Sequence, residues 1–406
     1  MASLSDPQGS ESSFRLSMLL NDTRYRSYTF QFIALVCVAL LFAYLGSNLA
    51  ANLRAAGLSI SYDFLGDPSG YDINQALLPY TSQSTHLRAS LVGLLNTLLV
   101  SILACITATL IGVTAGVLRL SNNWLVSKLM AAYVELFRNV PVLIWIIIIF
   151  TIMTAVAPAP SAFRGDNPDA NMLFGAIAFT NRGVYVPKPL LDPLGWVVVA
   201  VFVASIIGAI LYRRHARKRL YADGTLLPTT WPTLAIVFLP ALVAYVILGR
   251  PITLELPELG GFNFSGGINL LGSLIALWFA LAIYTGAFIA ENVRAGILSV
   301  SRGQTEAAAA LGLRPRRIMN LVILPQALRV IVPPLISHYL NITKNSSLAI
   351  AVGYMDLTGT LGGITLNQTG RAIETILLLM LFYLAISLTI SALMNVYNNA
   401  VRLKER

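Results

Sequence analysis

The chain has 406 residues, of which 56% are hydrophobic and only 11% are charged, with a mean hydropathy of +0.72 and a formal net charge of +10. Soluble proteins carry about 25% charged residues, so this chain has too few charges to cover a water-facing surface. The composition therefore excludes an ordinary soluble protein and predicts a membrane protein. Its bases are scattered between apolar runs, which is typical of membrane-topology signals and argues against nucleic-acid binding.

Eight segments are long and apolar enough to cross a bilayer, which takes about 20 residues of helix. The first is expected to stay as a helix, because 29 mostly polar residues precede it and no convincing signal-peptide cleavage site follows. We predict an all-α polytopic membrane protein with about eight transmembrane helices. The segments are 30–49, 91–118, 140–157, 195–212, 231–249, 268–290, 330–352 and 372–396.

The arginines and lysines indicate how the chain is oriented. Most of the 28 bases fall in alternate gaps: ahead of the first span, and near residues 119–138, 213–219, 294–329 and 402–406. Bases close to helix ends are retained on the cytoplasmic side. We therefore expect both termini to be cytoplasmic.

The cytoplasmic loop 294–329 contains a predicted helix, turn and second helix. Glu306 opens a run of strong helix formers, where an acid suits the positive end of the helix dipole. Gly312 can take the left-handed conformation that closes a helix, and Pro315 suits the first turn of the next. A shallow alanine face could fit a groove on another protein; the alternative is an amphipathic connector lying on the membrane. Three bases there could meet acidic groups or lipid phosphates: Arg314, Arg316 and Arg317.

Two motifs carry a family resemblance. Glu306-Ala307-Ala308, with Gly312 after three residues and Val322-Ile323-Leu324-Pro325 after nine more, resembles the EAA loop of ABC importer permeases. Residues 133–141, YVELFRNVP, resemble a signature of the polar amino-acid permease subfamily. Val322 in place of isoleucine, and Asn139-Val140 before Pro141, are mild departures.

The resemblance covers roughly residues 90–157 and 270–400. It implies a type I ABC importer permease core of five helices, to which an amino-terminal helix and a two-helix insertion are added. That arrangement is similar to the larger permease of general L-amino-acid systems, the AapQ or BztB type. The implied divisions are 1–90 (amino terminus, first helix and periplasmic loop), 91–157 (first part of the core), 158–267 (insertion) and 268–406 (second part, with the coupling loop 294–329).

The resemblance also implies a function and partners. Such a permease lies in the bacterial inner membrane and passes L-amino acids delivered by a periplasmic binding protein. It pairs with a second, related permease, and two ATPase subunits hold the ATP and Mg. We expect no enzymatic activity, cofactor or metal in this chain, since none of its lysines follows a glycine as a phosphate-binding loop requires. The implied ATPase-coupling residues are Gly303, Gln304, Glu306, Ala307, Ala308, Gly312, Leu313, Arg314, Arg316 and Arg317.

Lys344 is the only base well inside a predicted span, about 22 Å up the helix from Arg329. Intramembrane charge is costly and usually faces a cavity or a partner. Lys344 could attract a substrate carboxylate; alternatively it pairs with an acid on the partner permease or extends to the outer interface. Three polar residues accompany it as candidates for the substrate path: Asn341, Asn345 and Ser346.

Two acid–base pairs at the inner mouth have a spacing of three, which places both members on one helix face. They are Glu135 with Arg138 and Glu291 with Arg294. Each is predicted to be a local ion pair or part of a gate.

Pro333-Pro334 is expected to break the seventh span and expose backbone groups to a water-lined cavity. The alternative is an elbow ahead of the membrane helix.

The outer segments 50–90, 158–194 and 250–267 are rich in turn-forming residues. They form either a landing surface for a binding protein or passive linkers. Two other functions remain open from the residues alone. An ion-coupled secondary transporter would favour inverted repeats and a charged mid-membrane site, and a membrane scaffold would not need a polar seventh span.

Overall fold

The computed structural model describes residues 20, 23–57, 59–165, 168–225 and 227–401. The start of the predicted cytoplasmic amino terminus and the bases Arg402, Lys404 and Arg406 lie outside these residues. The chain divides into two compact units, Met1–Asp63 and Phe64–Arg406. The first unit contains α1, Thr23–Ala55, whose 33 residues span about 50 Å.

The second unit carries the remaining helices. Its longer helices are α2 His86–Leu118, α3 Trp124–Asn139, α4 Val142–Val156, α5 Pro193–Asp223, α6 Thr230–Ile247, α7 Gly272–Leu298, α8 Arg302–Ala310, α10 Leu324–Asn345 and α12 Ala372–Val401. Its shorter ones are α9 Pro315–Ile318 and α11 Leu366–Thr369, with 3-10 turns at Asp63–Gly66, Pro160–Phe163 and Ser346–Val352 and π-helical turns at Met319–Ile323 and Thr358–Thr365.

Helix α7 is the centre of the core, and α2, α4 and α10 pack around it. Gly112 and Gly116 let α2 approach α7 closely. A Cβ atom on Gly112 would lie 2.5 Å from Ile289 Cβ, and one on Gly116 would lie 2.6 Å from the carbonyl oxygen of Ala290. Small residues four apart allow such approaches between membrane helices, where packing rather than hydrophobic transfer drives association.

The third predicted span is a bent pair of helices. Helices α3 and α4 meet at 105°, because Pro141 disfavours helical backbone in the residue before it, and Val140 is extended at φ −112° and ψ 132°. Seven described helices are long and apolar enough to span a membrane, or eight if the bent pair is one span. The predicted count of about eight is confirmed.

Two outer segments fold together into a small β module. Its antiparallel pairings join β1 Ala178–Thr180 to β2 Gly183–Val186, β2 to β7 Ile268–Leu271, β3 Lys188–Leu191 to β4 Ile252–Glu255, and β5 Glu258–Leu259 to β6 Phe264–Ser265. Ala178, Tyr185 and Phe264 form its buried centre. The sixth span was predicted to begin near residue 268; residues 268–271 instead pair with β2, and α7 begins four residues later, at Gly272.

Candidate functional site

The helix, turn and helix predicted for the loop 294–329 are confirmed. Helix α8 follows Ser301, and α9 begins at Pro315. We name residues 302–318 the elbow. The expectation that Glu306 stabilises the start of the first helix is wrong, since α8 begins four residues earlier and Glu306 lies in its second turn, where the dipole effect has fallen off.

Gly312 closes α8 as predicted. Its φ is +76°, its N–H donates to the carbonyl of Ala309 (2.9 Å), and the N–H of Leu313 donates to that of Ala308 (3.3 Å). This pair of bonds is the Schellman motif, which satisfies carbonyls that a helix end would otherwise leave open. The turn therefore has a defined shape.

The elbow is largely exposed and held at a few points. Ala308 and Ile318 are buried, whereas Leu311 at the turn is 82% exposed. Gln326 Nε2 donates to Gln304 Oε1 (3.4 Å), which ties α8 to the start of α10. An exposed leucine on a fixed turn is suited to contact with another protein.

The elbow is continuous with a helix of the predicted seventh span. From Pro315 the chain runs through α9, the π-helical turn Met319–Ile323, α10 and the 3-10 turn that ends at Val352 as one apolar helical stretch of 38 residues. The second helix of the elbow and α10 therefore belong to the same helical stretch.

One face of α10 is exposed and polar. Pro333, Ser337, Asn341 and Lys344 are exposed and recur at spacings of four, four and three, which places them on one helix face. We name these four residues the polar stripe. Among the described residues, none forms an ion pair with Lys344. The other two predicted path residues lie differently, since Asn345 is half-buried and Ser346 is buried with its Oγ donating to the carbonyl of Thr343 (2.8 Å).

The predicted break at Pro333-Pro334 is wrong, and so is the alternative of an elbow before the span. Helix α10 begins at Leu324 and contains both prolines. The proline φ is compatible with a helix, and the two prolines each remove one backbone donor from it. Irregular structure appears farther along, at Ser346–Val352 and Thr358–Thr365.

Charged side chains meet at the predicted inner mouth. Arg294 Nη2 lies 2.7 Å from Glu291 Oε1, which confirms that ion pair. Arg119 also pairs with Glu291, through Nη1 and Oε2. The predicted pair of Glu135 with Arg138 is wrong, because Glu135 Oε1 instead lies 3.8 Å from Arg119 Nη2. The Arg138 guanidinium carbon lies 5.2 Å from the centre of the Phe288 ring, where a cation is attracted by the aromatic face.

Sequence reasoning missed Arg119 as a member of this cluster. It follows the end of α2, and only the packing of α2 on α7 brings it to Glu291, which is 172 positions away. It also missed the hydrogen bond between Asn292 Nδ2 and His338 Nε2 (2.7 Å), which joins α7 to α10.

A second polar cluster surrounds Asp356, between the last two spans. Asp356 is fully buried; its Oδ1 accepts from the Gly359 N–H (2.8 Å) and its Oδ2 from the Tyr383 hydroxyl (3.3 Å). Burial raises the pKa of this carboxyl to about 7, although these hydrogen bonds oppose the shift. The cluster caps the helical stretch that follows. Within the described residues, no group of three or more His, Cys, Asp or Glu side chains is arranged to hold a metal.

The first outer loop is packed against this region. Asn96 Nδ2 donates to the carbonyls of Gln75 and Met355, at 2.8 Å each. The Tyr71 hydroxyl lies 3.3 Å from Thr365 Oγ1, and burial raises the pKa of Tyr71 to about 12. Residues 71 and 75 of this loop are therefore tied to the spans and to the segment that follows Asp356.

Known proteins resemble the chain over its whole length. The family described as "Binding-protein-dependent transport system inner membrane component" matches residues 224–403. The glutamate/glutamine/aspartate/asparagine transport system permease protein BztB of Rhodobacter capsulatus is 51% identical, with 100% of both chains covered. The general L-amino acid transport system permease protein AapQ of Rhizobium johnstonii is 42% identical, over 97% of this chain and 96% of its own. The putative amino-acid ABC transporter permease protein YhdX of Escherichia coli is 43% identical, over 94% and 95%.

All three relatives are named as permease proteins, and YhdX as one of an ABC transporter, rather than as ion-coupled transporters or scaffolds. The identity extends across the amino-terminal helix and the insertion as well as the five-helix core. The chain belongs to the family of binding-protein-dependent transport system inner membrane components, as a permease of the amino-acid ABC transport type.

Proposed function

We propose that the chain is the transmembrane permease subunit of an ATP-driven importer that translocates L-amino acids delivered by a periplasmic binding protein. The observation that carries the proposal is the continuous helical stretch Pro315–Val352, which has the exposed elbow at one end and the polar stripe along its length. One element thus connects a docking surface to a hydrophilic face. The acidic amino acids and amides in the name of the 51% identical relative are the first substrates to test.

The elbow is the proposed docking site for an ATPase subunit, which holds the ATP and Mg. Leu311 offers apolar area on a turn fixed by two backbone bonds, and such preorganisation reduces the entropy lost on binding. Arg314, Arg316 and Arg317 are exposed beside it and can meet acidic groups at the rim. Two ATPase subunits serve the two permeases of the complex, with this end of the protein on the cytoplasmic side.

The polar stripe is the proposed lining of the transport path. Asn341 and Lys344 are exposed, and a lysine or asparagine facing lipid would be costly. A second permease that covers this face and encloses water removes that cost. Lys344 then presents a positive charge to the carboxylate that every amino acid carries, and the partner is a related chain rather than a second copy.

The outer regions are the proposed landing surface of the binding protein. Arg182 Nη1 donates to the carbonyl of Phe262 (3.2 Å), which joins the two segments of the β module. Phe174 and Phe262 are 91% and 88% exposed, and exposed aromatic side chains are common anchors in interfaces.

Co-purification with a matched pair of variants tests the docking proposal. Leu311→Glu places a charge at the centre of the proposed interface, and Leu254→Glu makes the same change at a 62% exposed leucine of β4. We expect tagged wild-type chain and Leu254→Glu to retain a Walker-motif ATPase, and Leu311→Glu to lose most of it. Full retention by Leu311→Glu, or an absence of ATPase from the wild-type preparation, would contradict the proposal.

Amino-acid uptake by proteoliposomes that contain the complete complex tests the transport role. Uptake should require the binding protein, ATP and an L-amino acid together. Uptake driven by an ion gradient without ATP would refute ATP-driven import.

A further inference from the structure

The insertion helices α5 and α6 form a hairpin whose basic end lies at the edge of the membrane. Residues 194–212 of α5 contain no charge and span about 28 Å, close to the roughly 30 Å hydrocarbon core. The first base after them, Arg213, therefore lies at the boundary. Tyr212 and the 80% exposed Trp231 lie at the same level, as tyrosine and tryptophan commonly do at the headgroups.

A cleft opens at this boundary between α5 and the chain that returns to α6. Helix α5 continues to Asp223, where Gly224 ends it with φ +69°. The cleft has a volume of about 330 Å³, at the lower end of the range for ligand sites. It is lined by Arg213, Ala216, Arg217, Leu220, Thr225, Leu227 and Thr229.

The charge in the cleft is not compensated. Within the described residues, no acid lies within ion-pair distance of Arg213 or Arg217, and Arg213 Nε donates only to the neutral Thr233 Oγ1 (3.4 Å). Asp223, the one acid among residues 213–230, is 3.6 Å from Arg219. Two guanidinium groups with adjacent hydroxyls form a site suited to a phosphate.

We propose that this cleft binds the phosphate headgroup of an anionic phospholipid from the adjoining leaflet. A lipid fits better than a soluble phosphate because the cleft lies where α5 leaves the hydrocarbon. Basic pockets between membrane helices on the cytoplasmic side are known to take such headgroups. Helices α5 and α6 pack mainly on each other, so the lipid holds their inner end at the membrane surface.

The test uses the full chain, co-expressed with its partner subunits and reconstituted in nanodiscs. Association of spin-labelled phosphatidylglycerol is measured in a phosphatidylcholine background. Arg213→Gln with Arg217→Gln removes both guanidinium contacts to the phosphate and should weaken association about thirtyfold. Arg214→Gln with Lys218→Gln removes the same charge from neighbouring residues that do not line the cleft, and should weaken it only a few-fold. Equal losses in the two double variants, or no loss in the first, would overturn the site.

Two further measurements separate the remaining explanations. Inorganic phosphate, added at constant ionic strength, should leave lipid association unchanged; displacement at millimolar concentration would assign the cleft to a soluble anion instead. If the first double variant fails to assemble on size exclusion, Arg217→Gln alone should weaken association about fivefold. Unchanged association in that assembled single variant would likewise overturn the site.

Discussion

Replacing Gly312 with alanine isolates the backbone conformation of the elbow. An L-residue at φ +76° costs roughly 1–2 kcal/mol relative to glycine. A Cβ atom there would meet nothing within 4 Å, so no steric cost is added. Gly303 provides the control, because a Cβ there also meets nothing within 4 Å, but the residue lies in the first turn of α8, where alanine is favoured over glycine by up to about 1 kcal/mol. One added methyl group should therefore destabilise the elbow at position 312 and stabilise α8 at position 303.

Amide hydrogen exchange across α8 measures these effects, because exchange reports the free energy of local opening. We expect Gly312→Ala to speed exchange about 5- to 30-fold and Gly303→Ala to slow it about fivefold. In the reconstituted complex, Gly312→Ala should also lower amino-acid-stimulated ATPase activity. If both variants shift exchange in the same direction, or if Gly312→Ala leaves exchange unchanged, the left-handed closure does not set the stability of the elbow.

Further substitutions test the polar stripe and the two polar clusters. Lys344→Met should leave assembly intact and raise the KM for uptake; an unchanged KM would remove Lys344 from the substrate path. Glu291→Gln leaves Arg119 and Arg294 without their shared acid and should lower the free energy of unfolding by about 1–3 kcal/mol. Adding Arg119→Leu to that variant should lower it little further. If the losses of the two single variants add up in the double variant, Arg119 and Glu291 do not form a direct pair. Because the pKa of Asp356 is raised to about 7 in the folded state, the protonated carboxyl stabilises the fold fully below pH 3.8, and this stabilisation is lost as the pH rises to about 7. The melting temperature of Asp356→Asn should therefore increase relative to that of the wild type between pH 5 and 7.5. A difference in melting temperature that stays constant over this range would contradict the raised pKa.

The spans and the elbow could be predicted because their determinants are local. A run of about 20 apolar residues has few alternatives to a membrane helix, and glycine followed by proline after two residues encodes a turn wherever the chain lies. The same local reasoning failed at Pro333-Pro334, since surrounding packing holds α10 helical despite two lost donors.

Contacts that depend on tertiary packing could not be read from the sequence. No residue near Arg119 in the sequence indicates that it pairs with Glu291. The spacing of Glu135 and Arg138 favoured an ion pair between them, but the packing of α2 and α3 places Glu135 beside Arg119 instead. The β module was also missed, because its strands are two to four residues long and two of its pairings, β2 with β7 and β3 with β4, join residues 61 to 88 positions apart.

The place where α10 packs most closely against α7 determines how movement of the elbow could act on the polar stripe. A Cβ atom on Gly296 of α7 would lie 2.4 Å from Ile331 Cγ1, so the two helices are in contact about 24 Å along the helix from Pro315 and about 20 Å short of Lys344. If α10 turns about this contact, displacement of the elbow would move the stripe the opposite way. Gly296→Ala must shift this contact, and we expect it to uncouple ATP hydrolysis from uptake while ATPase co-purification is retained. Normal uptake per ATP hydrolysed in that variant would show that the contact is not a pivot.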